Sequence, residues 1–133
     1  MDNDYRRTKT TVSLINYHFI FCPRYRRKIF NIAGVEDRFK ELTAAECDRL
    51  SIEVLAMECH VDHVHMFVSA LPQLSIPEIM KLIKGYTSVH LREEFTQLRF
   101  VRNLWTRSYF VSTAGNVSAE TIQRYVETQK TRS

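Results

Sequence analysis

Long hydrophobic runs are missing from this 133-residue chain. No apolar stretch approaches the roughly 20 residues a spanning helix needs, and the opening Met1-Asp2-Asn3-Asp4 is too polar for a signal peptide. Membrane insertion and export are therefore not expected, and the cytoplasm is. Cysteine is scarce as well: Cys22, Cys47 and Cys59 are odd in number and far apart. That excludes a disulfide framework, argues against a cysteine zinc site, and fits buried thiols in a reducing compartment. Repeats, low-complexity tracts and linkers are absent up to about residue 112, so one domain over 1–133 is expected, with a core over 1–112 and an appendage over 113–133. Charge of one sign is also not abundant. The net +4 and pI of about 9.1 favour an anionic partner only mildly, so the placement of the cations matters more than their total.

What is present centres on Cys59-His60-Val61-Asp62-His63-Val64-His65-Met66-Phe67-Val68. From Asp62 onward polar and apolar residues alternate with the period of a strand, which places His63 and His65 on one face. Two parallel neutral imidazoles suit a divalent cation if a third ligand arrives from elsewhere. The competing reading makes one histidine a hydrogen-bonded sheet residue and the other its incidental neighbour.

Upstream, Thr11 to Cys22 alternates with both faces largely apolar, a central, covered strand. Asn16 and His18 are its polar members, either beside the paired histidines or, for His18, satisfied in the core. Pro23 ends the strand, and Arg24-Tyr25-Arg26-Arg27-Lys28 follows: four cations around an aromatic ring, suited to phosphates with Tyr25 stacking on a base. Gly34 to Leu50 reads as an amphipathic helix with Val35, Phe39, Leu42, Ala45, Cys47 and Leu50 inward. Ser51 to Glu58 is a strand that forms a hairpin with the histidine strand, and Glu58 is either a metal neighbour or a rim carboxylate. Ser75-Ile76-Pro77-Glu78 is a capping box opening a helix that runs to about Phe95. Lys81, Lys84, His90 and Arg92 make its other side basic, either for DNA or simply for solvent. Phe100 to Ser112 is a last strand interrupted at Leu104–Ser108. The order strand, helix, strand, strand, helix, strand predicts an α+β, ferredoxin-like (RRM-like) antiparallel sheet with helices on one face.

After the break at Thr113-Ala114-Gly115-Asn116, Ser118 caps a short helix. Tyr125 and Gln129 lie four apart on one face of it, beside an apolar stripe of Ile122 and Val126. A helix this short depends on tertiary or intersubunit contact. A tyrosine hydroxyl is able to attack a phosphodiester, and a metal held by two histidines and a carboxamide polarises the phosphate it attacks.

In combination, Tyr17-His18, Tyr25-Arg26-Arg27-Lys28-Ile29-Phe30, Asp62-His63-Val64-His65, Leu82-Ile83-Lys84-Gly85, Leu104-Trp105, Tyr109-Phe110-Val111-Ser112-Thr113 and Tyr125-Val126-Glu127-Thr128-Gln129 resemble the small single-tyrosine HUH transposases of bacterial and archaeal insertion sequences (IS200/IS605-like). The resemblance runs from Tyr17 to Gln129. It implies cleavage and rejoining of single-stranded DNA at hairpin-bearing element ends through a 5′-phosphotyrosine intermediate, by a homodimer acting at the prokaryotic nucleoid. It implies Tyr125 as nucleophile, His63, His65 and Gln129 as ligands of Mg²⁺ or Mn²⁺, and Gly115 as the hinge of a helix serving the partner's histidines. Arg24, Tyr25, Arg26, Arg27, Lys28 and Lys84 are the expected DNA contacts. The chain departs from the family pattern at Ser108, where glycine is usual, and at Cys59-His60-Val61, which replaces a proline-containing turn. The alternatives are a non-catalytic single-stranded nucleic-acid-binding module of RRM type, and a relaxase-like or replication-initiating HUH enzyme. The histidine pair with the Tyr-x-x-x-Gln helix speaks against the first, and chain length against the second.

Overall fold

The computed structural model describes residues 5–113 and 119–129. Its strands are β1 (Arg6–Arg7), β2 (Val12–Ser13), β3 (Asn16–Phe21), β4 (Glu53–Cys59), β5 (Val64–Ser69) and β6 (Phe110–Ser112). Its α-helices are α1 (Val35–Arg49), α2 (Ile76–Glu94) and α3 (Ala119–Thr128). The main sheet runs β4-β5-β3-β6, antiparallel throughout. That is the ferredoxin-like arrangement expected from the order of elements, with the histidine-bearing β5 in an interior position.

One face of the sheet is apolar because alternate residues are. Phe19 and Phe21 of β3 and Val64, Met66 and Val68 of β5 are fully buried, each worth roughly 1.5–3 kcal/mol. They pack in one cluster with Val35, Phe39 and Leu42 of α1 and Ile79, Met80, Ile83 and Leu91 of α2. Helix α2 begins where the capping box places it: Ser75 Oγ accepts from the Glu78 N–H at 3.2 Å, and Glu78 Oε1 accepts from the Ser75 N–H at 3.1 Å. The opposite face is less covered. There Ile20 and Cys22 form a second, smaller cluster with Val126 of α3. All three cysteines are free thiols, and burial pushes each up to about 12.

Three expectations need correction. The strand over Thr11–Cys22 is broken: Val12–Ser13 pairs with Arg6–Arg7 in a separate two-stranded piece, and the sheet strand begins only at Asn16. Val12 and Leu14 are exposed; alternation marks a face as apolar without supplying anything to cover it. The strand over Phe100–Ser112 shrinks to Phe110–Ser112. Trp105 explains this, because its indole packs against Phe21 and Phe39 at 5.1 and 5.4 Å and donates to Thr87 Oγ1 at 3.0 Å, drawing that segment toward the helices. In α1, Ala45 is exposed while Glu46 is buried. Arg49 grips the Glu46 carboxylate with two bonds of 2.9 and 2.7 Å, which offsets the cost of burying it. Gly115 and Ser118 fall outside the described residues.

Gly85 lies inside α2, and a Cβ added there meets no atom within 4 Å. Gly85→Ala therefore raises the free energy of unfolding in urea by about 1 kcal/mol, the helix-propensity difference. An unchanged or lower value refutes this.

Candidate active site

The β4–β5 hairpin brings the imidazoles together. Cys59 pairs with Val64, and the His60 N–H donates to the His63 carbonyl at 2.8 Å, so residues 60–63 close a tight turn. His63, at the end of the turn, and His65, one pleat further on, present the same face as expected. The turn also delivers His60, which sequence reasoning passed over. Ring centroids lie 4.4 Å apart for His60–His63, 5.0 Å for His63–His65 and 5.2 Å for His60–His65. Each ring offers a nitrogen, and these atoms lie within 4.8 Å of one another. The available signal was the four-residue spacing itself: a closed hairpin sets the residues flanking its tip side by side. A 460 Å³ pocket surrounds the group, lined by Arg26, Glu58, His60, Asp62, His63, His65, Gln123, Val126 and Glu127.

The chemistry of the donor set fits a divalent cation. Burial, then neighbouring imidazoles, lowers His65 from its ordinary 6.5 to about 4. Burial also lowers His63, outweighing the Asp62 carboxylate that raises it. Both rings are neutral at pH 7, as metal ligands must be. Asp62 Oδ1 lies 3.0 Å from His63 Nδ1. A carboxylate only accepts, so Nδ1 carries the proton and Nε2 keeps its lone pair. Asp62 is held in turn by Arg26, through Nε at 2.8 Å and Nη2 at 2.7 Å. Burial alone raises the Asp62 pKa, but the bonds from His63 and Arg26 prevail and lower it. His18 is buried on this same face, stacked on Phe67 with centroids 4.3 Å apart, its Nε2 3.4 Å from His65 Nδ1. It is not the satisfied core histidine of the first reading, because its Nδ1 has no hydrogen-bond partner among the described residues. Asp62→Asn removes the charge that fixes the His63 tautomer, so it lowers Mn²⁺ affinity by roughly 10–100-fold. Titration by electron paramagnetic resonance measures this, and wild-type affinity sinks the relay.

Helix α3 lies on the histidine face through Val126, and the two expected active-site residues, Tyr125 within it and Gln129 just after it, both meet Ser108. Ser108 Oγ donates to Gln129 Oε1 at 2.6 Å and lies 3.2 Å from the Tyr125 hydroxyl. A serine has one proton to give, so the order is Tyr125 O–H to Ser108 O–H to Gln129. Gln129 is fully buried, and its amide donates to Thr128 Oγ1 at 2.9 Å. Gln123, Val126 and Glu127 line the histidine pocket, whereas Tyr125 and Gln129 do not. The structure sets His63 beside His65, and sets Tyr125 and Gln129 both against Ser108.

The basic segment divides. Arg24 lines a 690 Å³ groove with Lys81, Lys84, Gly85, Trp105, Arg107 and Tyr109 among others, while Arg26 faces the histidine pocket. Arg27 and Lys28 are exposed. Tyr25, at φ 61°, sits with the Arg24 and Arg27 guanidinium groups 5.1 and 5.5 Å from its ring centre. Lys84 turns its ammonium onto the carbonyls of Thr106 and Ser108 at 2.9 and 3.0 Å, and burial lowers it to about 8. It secures the 106–108 loop that carries Ser108.

Relatives share this architecture. The chain is 33% identical over 118 residues to the ISDra2 transposase TnpA of Deinococcus radiodurans, covering 86% of this chain and 84% of that protein. It is 35% identical over 117 residues to the transposase for insertion sequence element IS200 of Salmonella typhimurium, covering 85% and 75%. A crystal structure of a transposase from Deinococcus radiodurans superposes with a TM-score of 0.83 at 29% identity, covering 93% of this chain and 97% of that one. A REP-associated tyrosine transposase, solved bound to a REP hairpin, shares the fold at a TM-score of 0.57 and 11% identity, covering 92% and 68%. The family model described as "Transposase IS200 like" matches residues 11–129, a span that takes in the sheet, the histidine hairpin and the tyrosine helix, and the chain therefore belongs to the IS200-like transposases.

Proposed function

We propose that this transposase is a metal-dependent DNA strand transferase that cleaves and rejoins single-stranded DNA at hairpin-bearing ends through a 5′-phosphotyrosine intermediate. The observation that carries the reading is the convergence of two neutral imidazoles, His63 tautomerically fixed by Asp62, in a pocket bordered by the helix that bears Tyr125. Tyr125 Oη attacks the scissile phosphorus. A P–O bond to tyrosine forms, the P–O3′ bond breaks, and the phenolic proton ends on the departing 3′-oxygen. His63, His65 and, on engagement, Gln129 hold Mg²⁺ or Mn²⁺. When bound, that ion supplies Lewis-acid polarisation of a phosphate oxygen. Arg24, Tyr25, Arg27 and Lys28 meet the DNA, whereas Arg26 and Lys84 act chiefly through the groups they orient, Asp62 and the 106–108 loop. The chain acts as one HUH domain with its hinge at Gly115, in a homodimer in the prokaryotic cytoplasm.

A purely binding module leaves the Arg26–Asp62–His63 relay without a use. Incubating the protein with labelled hairpin-bearing single strands and Mn²⁺ yields a covalent protein–DNA species on denaturing gels. Chelation abolishes it and added Mn²⁺ restores it. An adduct indifferent to chelation refutes the metal dependence.

A further inference from the structure

Gln129, the third ligand the family resemblance implies, is occupied: its carboxamide is buried between Ser108 and Thr128. Yet His63 and His65 are not alone in their pocket. We propose that His60 is the third protein ligand in the DNA-free chain, so that His60, His63 and His65 bind a transition-metal ion while Gln129 stays on Ser108. This deepens the metal-centre reading above and rests on it.

The geometry is local to one hairpin. The His60–His63 backbone bond of 2.8 Å closes the turn, and the Arg26–Asp62 pair ties the same turn to the segment that follows β3. The two rings stack at 12° between planes, with His65 crossing them at 63° and 69°. Donor atoms up to 4.8 Å apart are wider than the roughly 3.3 Å set by tetrahedral bonds of 2.0–2.1 Å, so the rings must close by somewhat more than an ångström. His60 is able to do that, because its side chain is half exposed and, among the described residues, is held beyond its ring contacts by a 3.9 Å approach to Glu58 Oε1. Three imidazoles leave the fourth position of a tetrahedral ion open, as in catalytic zinc sites. The donor type also selects the cation. Imidazole nitrogens suit Zn²⁺, Cu²⁺ and Ni²⁺, whereas Mg²⁺ prefers octahedral oxygen. The DNA-free chain therefore takes Zn²⁺ far more tightly than Mg²⁺.

The test is a Zn²⁺ titration of the full chain labelled with ¹⁵N-histidine, without DNA. Imidazole resonances of His60, His63 and His65 move together, and chelator competition gives the affinity. His60→Ala and His60→Gln each weaken Zn²⁺ at least tenfold, the lower bound for losing even an outer-shell partner, while Gln129→Ala stays within about twofold of wild type. The glutamine variant, with circular dichroism of both, separates ligand loss from a disturbed turn. If Zn²⁺ moves His63 and His65 without His60, or if folded His60 variants bind like wild type, the His60 assignment is wrong and the metal centre survives. If His63→Ala and His65→Ala also bind like wild type, the metal-centre reading falls with it.

Discussion

Tyr125→Phe yields no covalent protein–DNA species while the protein stays folded and still binds hairpin-bearing single strands. The substitution keeps the aromatic ring, half-buried at the edge of the cluster that includes Ile20, Cys22 and Val126, with Phe110 6.1 Å away. It deletes only the oxygen, whose contacts include one of 3.2 Å to Ser108. Loss of one such contact costs about 1 kcal/mol, a small effect on folding. Loss of the proposed nucleophile removes the reaction altogether, since phenylalanine has no atom with which to form a phosphoester. Denaturing gels of labelled DNA, read beside native gel shifts, separate the two effects. A covalent adduct formed by the phenylalanine chain transfers the nucleophile role to another residue.

The second large effect is recovery of cleavage by mixing two dead proteins. His63→Ala lacks a proposed metal ligand and Tyr125→Phe the proposed nucleophile, so each alone is expected to be inactive. In the structure Tyr125 and Gln129 face Ser108, whereas Gln123, Val126 and Glu127 are the α3 residues at the histidine pocket. Tyr125 and Gln129, four residues apart, both meet Ser108 in this chain, and the proposed engagement needs them at a pair of histidines. An α3 donated by a second chain meets this need and joins two DNA ends in one assembly. A heterodimer of the two variants then contains one composite site with intact His63, His65 and Tyr125, and cleavage returns after subunit exchange. Its yield approaches half that of a wild-type dimer, since one site of two is whole. Verified heterodimers that stay inactive establish that each chain serves its own histidines at this step.

Much of this was legible in the residues. The capping box at Ser75, the alternation around His63 and His65, and the apolar period of α1 are local patterns, and local patterns survive translation into structure. Their failures share a cause. Val12 and Leu14 alternate like a strand but stay exposed, and Phe100 is 88% exposed although it opens an apolar-looking segment. Whether an apolar face is covered depends on elements remote in the chain, which periodicity does not carry.

The sequence by itself determined the kind of protein: the order of elements, the two histidines on one face, and a tyrosine and glutamine one helical turn apart. Those follow from fixed geometry along a single element, two residues per strand pleat and 3.6 per helical turn. Only the tertiary structure decided which groups meet. It set His60 against His63 by closing a four-residue turn and gave Arg26 to Asp62 across 36 positions. It also placed Tyr125 and Gln129 against Ser108. Each of those pairings joins side chains brought together by a turn or by sheet packing, where the hydrogen bond that forms is the one whose partners burial leaves nearest.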